Sequence, residues 1–430
     1  MTDFLLEETR ARWRLTVHHR SFAAGGFART TGIAELSDAR SRRLETSLNS
    51  PAKLTFSVAG GSPSAAYVRE LQTDVMAWRF DPEDGRDHLM FRGIVAQSED
   101  TLTEQAHTVN FTVHDYLAVI NRRYLNPPTD LVYSQVDQDV IVADLLQRAT
   151  FGQAPAGANS NPGGGPAGFQ PGAYVPLQNQ LQNPDGTNRS AWSGVLRDRT
   201  YTGGSSCGEL ITALGAVING FDVDVLAAAD VAGRDFLRVW YPARGVGRTD
   251  LALVYGSTVS ALTRSANSAV DGSGGGYANY VRVLGDNSAE PEGSPQLIAE
   301  AWTPESNDVG AVPVGLWAAT DNQSDVSQAA TLQQKAAGDI QTLGSLTPSY
   351  SLTLRPGWYR PGFPALGDTV PLVVKSGRLD VSTTVRVLGL NYAIGDDGQE
   401  DVEMVVGRAA EDLSAQFRKT RRDVDALARR

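Results

Sequence analysis

Cysteine is almost absent: Cys207 is the only one in 430 residues. It cannot form an intrachain disulfide, and a Cys-rich metal site is excluded. Lysine is scarce too (Lys53, Lys335, Lys375 and Lys419), so arginine supplies nearly all of the 38 basic residues against 49 acidic ones. The net charge of −11 argues against a nucleic-acid binder held by phosphate contacts. No run approaches the ~20 apolar residues that span a bilayer. The stretch Met1–Glu8 lacks a basic region and an apolar core, so no secretory leader is expected.

Catalytic and metal motifs are missing as well. The five histidines (His18, His19, His88, His107 and His114) fall on or beside predicted strands and show no zinc-type spacing. There is no Gly-x-Ser-x-Gly elbow, and Cys207 opens an apolar helix with no motif around it. The Gly-rich run Pro162–Pro166 is not followed by Gly-Lys-Ser/Thr, which argues against a phosphate loop. Asp222 and Asp224 alternate with apolar residues and read as solvent-facing. Asp396, Asp397, Glu400 and Asp401 cluster at a turn where calcium is conceivable, without the EF-hand pattern. The expectation is a non-enzyme with no cofactor and no specific metal site.

What the chain has in quantity is turn residues, with 43 glycines and 21 prolines, and short alternating strands between them. It also says one thing twice. Lys53–Val58, Leu71–Trp78, Phe91–Ala96 and Ala106–Val113 return in order as Ser351–Leu354, Leu366–Val373, Arg386–Tyr392 and Glu400–Val406. Leu54 to Leu71 is 17 positions and Leu352 to Leu366 is 14, while Val75 to Gly93 is 18 and Val370 to Gly389 is 19. Thr108, Asn110 and Thr112 alternate with Val109, Phe111 and Val113, so one face packs and the other is wet. The reading is a mainly β, α+β chain, with two related β-barrel domains flanking an inserted α+β domain and a short C-terminal helix.

The domains are expected at 1–125 (first barrel), 126–275 (insert), 276–408 (second barrel) and 409–430 (amphipathic helix). Within the insert, Asp137 is placed to cap a helix through Val140–Arg148 and Ser206 one over Cys207–Ile218. The Gly/Pro/Asn-rich stretch 152–188 reads as a long surface loop. Ala278–Leu284, Leu297–Trp302 and Gly315–Trp317 are expected to begin the second barrel, with a long helix at 325–343 capped by Ser324. In the tail, Leu413, Phe417, Val424 and Leu427 follow coiled-coil spacing and mark a candidate subunit or partner interface.

The order of these phrases resembles one family, the baseplate hub or tail-hub minor tail protein of long-tailed bacteriophages. The resemblance rests on Leu71–Trp78, Phe91–Ile94, His107–Tyr116 with Arg122 and Arg123, Arg199–Tyr201, the Cys207 helix and Ile218–Asp222. It continues through Trp240–Gly245, Val254–Gly256, Tyr277–Val281 and Leu366–Val370. It implies a homotrimer whose two barrels per subunit make a pseudo-six-fold ring continuing the tail tube at the tail tip. It also implies a virion protein made in the host cytoplasm, with a distal tail protein, a tape measure protein and other tail-tip proteins as partners. DNA would be present only in transit through the lumen. The competing expectation is a β-rich receptor- or carbohydrate-binding tail protein, with Trp192, Trp240, Trp317 and Trp358 on exposed platforms. A wall-degrading enzyme would need a catalytic constellation that the sequence does not show.

Overall fold

The computed structural model describes residues 12–23, 26–29, 32, 34–125, 130–151, 175–217, 219–228, 234–266, 277–285, 296–303, 315–323, 326, 328–344, 348–359, 363–396 and 400–407. The expected helix at 409–430, with Leu413, Phe417, Val424 and Leu427, lies outside the described residues.

The first barrel comprises β1 (Arg12–Ala23), β2 (Gly26–Arg29), β3 (Ala34–Glu35), β4 (Arg40–Ser47), β5 (Lys53–Ala59), the short helix α1 (Pro63–Tyr67), β6 (Thr73–Asp81), β7 (Arg86–Leu102) and β8 (His107–His114). Alternation sets its register. Leu54, Phe56 and Val58 of β5 are buried opposite Val113, Phe111 and Val109 of β8. A one-residue slip would turn that whole set to solvent. Helix α2 (Tyr116–Ile120), capped by Asp115, leads out of the barrel.

The insert follows, as β9 (Leu131–Asp137), α3 (Gln138–Phe151), β10 (Leu177–Gln182), β11 (Leu196–Tyr201), α4 (Cys207–Gly215), β12 (Asp222–Leu226) and β13 (Asp235–Trp240). Both expected caps form. Asp137 accepts the Asp139 N–H at 2.9 Å, and Ser206 accepts the Glu209 N–H at 3.2 Å. Ile141, Leu145, Ile211, Leu214, Val223 and Leu237 share its core with Tyr116 and Leu117 of α2. The expected surface loop is shorter than 152–188. Residues 152–174 lie outside the described residues, but β10 runs parallel to β13, with Leu177 and Gln182 buried. Its Gln- and Asn-rich sequence hides a strand whose Leu177 and Leu181 pack on the insert's core.

The second barrel is assembled from β14 (Leu253–Val254), β15 (Val259–Ser265) and four later strands. Between them the chain builds a separate unit from β16 (Tyr280–Gly285), β17 (Ile298–Trp302), β18 (Ala318–Gln323) and helix α5 (Ala329–Leu343). The barrel then resumes with β19 (Ser349–Leu354), β20 (Thr369–Ser376), β21 (Leu379–Ile394) and β22 (Glu400–Gly407). Two expectations change here. Strands at 253–265, assigned to the insert, pair with the second barrel, and β16–β18 form their own three-stranded sheet under α5. The reason is that one face of that small sheet is closed by Leu332 and Ala336 of α5, so it needs no barrel to bury it. The helix begins at Ala329, with Gln328 at the N-cap position making no side-chain cap bond, and the expected cap Ser324 lies outside the described residues.

The duplication is topological. Strand order β4-β5-β8-β7-β6 in one barrel matches β15-β19-β22-β21-β20 in the other, and the sixth strands differ in direction, β1 running antiparallel to β6 and β14 parallel to β20. β7 (17 residues) and β21 (16 residues) each pair one neighbour with their first half and another with their second. Each bends at a bulge, Val95/Gln97 and Val387/Gly389. One proposed equivalence fails. Gly93 faces Val75, but Val370 faces Val385, so Gly389 is not the counterpart of Gly93.

Leu44 sits fully buried on β4, which belongs to both barrels' hydrogen-bonded sheet. Leu44→Ala should lower stability by about 2–5 kcal/mol in chemical denaturation, the range for truncating a well-packed buried leucine.

Candidate functional site

The site of interest is the junction where the two barrels and the insert meet. Its spine is β4, which pairs with β5 on one edge and with β21 of the second barrel on the other, Leu44 facing Leu54 and Tyr392 respectively. The Thr46 hydroxyl donates to the Leu390 carbonyl at 2.9 Å. The two barrels therefore share one sheet and one core.

At one end of this seam Glu400, the first residue of β22, accepts the Trp13 indole N–H at 2.7 Å and the Arg79 guanidinium at 2.5–3.1 Å. Burial opposes the charge on Arg79, but Glu400 outweighs it and raises the guanidinium pKa. The Trp13 ring lies 5.4 Å from the Tyr392 ring, and the Tyr392 and Tyr359 hydroxyls are 2.8 Å apart. Charge-assisted, multiply bonded pairs of this kind fix geometry as well as adding attraction. Of the acidic residues read as a conceivable calcium site, Glu400 is engaged in the seam and Asp397 lies outside the described residues.

The insert is pinned to the first barrel by Arg92, whose guanidinium donates to Asp235 at 2.7 Å and to the Ala228 carbonyl at 2.6 Å, with both charged side chains fully buried. The tip of the β4–β5 hairpin adds a two-way contact. Asn49 donates from its backbone to the Val223 carbonyl at 3.1 Å and accepts the Val223 N–H on its side chain at 2.7 Å.

Asp222 and Asp224, expected to face solvent, are buried in this junction. Asp222 accepts from Asn49 Nδ2 at 2.9 Å, from the Arg244 N–H at 2.8 Å and from Arg386. Asp224 accepts from Arg238 at 2.5–2.8 Å, from the Trp240 indole at 2.9 Å and from Arg244. Burial pushes the Asp224 pKa upward, but Arg244 and Arg238 more than reverse this and hold it below the usual range. Alternation showed that these two share a strand face. It could not show that distant arginines cover that face. Arg92, Asn49 and Arg386 carried no sequence signal beyond being polar residues within apolar strands or at a turn.

The second barrel reaches the insert through two glycines packed backbone to backbone. Gly245 (φ +97°) and Gly367 (φ +89°) touch so closely that a Cβ on either would lie 2.1 or 2.3 Å from the other segment's backbone. Asp368 accepts the Val246 N–H at 2.9 Å beside them. The phrases Trp240–Gly245 and Leu366–Val370, far apart in sequence, thus form one contact.

A cavity of about 170 Å3 lies at the meeting point, lined by residues including Thr46, Arg92, Asp115, Asp224, Arg244 and Tyr392. Burial pushes the Asp115 carboxyl up to about 7, against three backbone N–H bonds from Ala52, Ala118 and Leu117 and with help from Asp224. Cys207 is buried, and burial likewise pushes its thiol up to about 11. Trp240 is buried and Trp192 is 54% exposed, while Trp317 and Trp358 are half-buried, so the four do not form one exposed platform. His88 and His107 bond to Asp84 and Asp100, at 2.8 and 2.6 Å. Asp81, Asp84 and His88 gather within metal-ligand range on an exposed turn, where Asp84 is already engaged by His88. No helix among the described residues is long and apolar enough to cross a membrane.

No protein-family model matches the chain, and no curated protein matches its sequence. Solved structures do match. The 43 kDa tail protein of prophage MuSo2 from Shewanella oneidensis superposes with a TM-score of 0.52 at 12% identity, covering 92% of this chain and 98% of that one. The chain has a phage tail-protein fold. Prophage tail protein gp18 of Listeria monocytogenes EGD-e gives a TM-score of 0.49 at 10% identity, over 96% of this chain and 99% of that chain. The tail protein of Neisseria meningitidis MC58 gives 0.49 at 9% identity, over 92% and 97%. At this junction residues of both barrels and of the insert line one cavity.

Two measurements test the junction. Gly245→Ala or Gly367→Ala should each cost at least about 1–3 kcal/mol, because a Cβ there meets backbone at positive φ; urea unfolding reads this. For Asp115, the folded pKa is raised, so the folded state holds a proton that the unfolded chain releases. Its contribution to stability is present below about pH 4 and is lost as pH rises towards about 7. Unfolding free energies of wild type and Asp115→Asn should differ in slope by up to about 1.4 kcal/mol per pH unit in that window, and run parallel above it.

Proposed function

We propose that this chain is a structural protein of a phage-type tail, a homotrimeric hub at the tail tip. Three copies of a two-barrel subunit would give six barrels, a ring that continues the tail tube and lets DNA pass. The observation that carries this reading is the duplicated barrel joined through β4 and β21 into one sheet, which makes each subunit a two-unit arc of such a ring. The fold likeness to a prophage tail protein supports a tail role. The net charge of −11 suits a passage that must not retain DNA.

On this reading the chain is a virion component made in the host cytoplasm, with no catalytic role. Its partners are a distal tail protein, a tape measure protein and other tip proteins. The candidate contact residues Leu413, Phe417, Val424 and Leu427 would serve one of these or a second copy of the chain. A receptor- or glycan-binding role would be favoured only by tight, saturable glycan binding that quenches an exposed tryptophan such as Trp192.

Negative-stain class averages of the purified chain should show three-fold rings with a central opening, and mass photometry should give three times the chain mass. Monomers at all concentrations, with cell-wall glycan binding, would replace the hub reading with the adhesin.

A further inference from the structure

The junction cavity of about 170 Å3 has walls of two kinds. Leu44, Phe91, Leu390 and Tyr392, all buried in the shared core, make part of its lining apolar. Arg238 and Arg244, brought together by Asp224, make another part cationic. Leu226, the last residue of β12, also lines the cavity and is 37% exposed, so the space reaches solvent there.

The two arginines are fixed in place but keep donors in reserve. Both guanidinium groups stack on the Trp240 ring, at 4.8 and 4.9 Å from its centre, an arrangement that holds a planar cation in one orientation. Arg238 directs Nε and Nη2 to Asp224, and Arg244 directs Nη1 to the same carboxylate. Among the described residues, Arg238 Nη1 and Arg244 Nε and Nη2 meet no acceptor, and none of the three is fully enclosed.

Charge is out of balance in the same place. Two guanidinium groups face one carboxylate, because Asp222 is engaged by Asn49, by Arg386 and by the Arg244 backbone N–H. Asp115 lines the cavity too, but burial favours its neutral form and pushes it up to about 7. Burial pulls the Arg244 guanidinium below its usual value, further than Asp224 restores it, and Arg238 adds to the pull. One more anion among these donors would supply charge-assisted hydrogen bonds that the protein leaves unmade.

We propose that the cavity binds a small monocarboxylate with an apolar body about the size of a benzene ring. Its carboxylate would accept from Arg238 and Arg244, and its body would rest on Leu44, Phe91, Leu390 and Tyr392. The size follows from volume, since an apolar cavity of about 150 Å3 takes up benzene. The charge follows from the donors, since guanidinium N–H groups match the two oxygens of a carboxylate. Inorganic phosphate would bring charge without the apolar surface that the remaining walls are shaped to cover. The bound acid would touch both barrels and the insert within one chain, so the site does not depend on the hub reading.

Calorimetric titration of the full chain with benzoate tests this. Benzoate should bind at a single saturable site with a Kd of about 1 mM or tighter, and should raise the unfolding temperature by stabilising the folded state. Benzamide keeps the shape without the charge, and acetate keeps the charge without the body. Each of these, and inorganic phosphate, should bind at least about tenfold more weakly. Arg238→Met removes donors but also takes a partner from Asp224. Ala227→Leu therefore serves as the second variant, adding bulk at the cavity and leaving every charge in place. Each variant should weaken benzoate binding at least about tenfold, with wild-type near-ultraviolet circular dichroism showing that it is folded. If Arg238→Met does not fold, Ala227→Leu decides. The proposal is overturned by no saturable benzoate binding up to about 10 mM, by benzamide or phosphate binding as tightly as benzoate, or by wild-type affinity in folded Ala227→Leu.

Discussion

Everything else in this molecule is arranged around a strand with two partners. β4 is central to the sheet, and its second ladder, to β21, is the contact that turns two barrels into one body. A strand edge left in water presents unpaired N–H and C=O groups, and a barrel removes its edges by closing on itself. Here each barrel gives up part of that closure so that the sheet can run on. The apolar cluster through Leu44, Leu54, Tyr392 and Leu390 follows the same path and is the larger stabilising term, since buried area outweighs individual polar contacts.

The ionic contacts have a different task. Arg92–Asp235, Arg79–Glu400 and the Asp222/Asp224 arginine cluster join residues 14 to 321 positions apart, and nearly all are buried. Desolvating such groups offsets much of their attraction, so they add little net stability compared with apolar side chains of the same size. What they supply is specificity, because a misdocked insert would strand a buried charge. Gly245 and Gly367 complete this logic sterically, for only an approach without side chains lets the two backbones meet.

How much of this could be read from the sequence follows from the kind of signal each feature leaves. The doubled meander was legible because period-2 alternation and Gly/Asp turns are local, and four phrases kept their order. The caps at Asp137 and Ser206 were legible for the same reason. Membership of β14 and β15 in the second barrel was not, because the β16–β18 unit separates them from their partners. The strand Leu177–Gln182 was masked by its amide-rich composition, since parallel pairing to β13 leaves no turn signal nearby. Asp222 and Asp224 looked wet because alternation says that two faces differ and is silent on what covers each. Of the candidate site, the phrases around Trp240–Gly245 and Leu366–Val370 stood out individually, but their mutual contact is a property of the fold alone.

The two repeats differ most at one connection. Between β4 and β5 the chain turns in a short hairpin whose tip, Asn49, is bonded to the insert; between β15 and β19, the equivalent place, it makes the excursion that carries β16–β18 and α5. In the proposed ring, compact and bulky connections would therefore alternate around the rim. A six-fold neighbour stacked on that side would find its six rotational settings reduced to two distinct classes of three. The excursion would then act as an indexing tooth, converting a six-fold tube into a three-fold tip without any change in the barrels themselves.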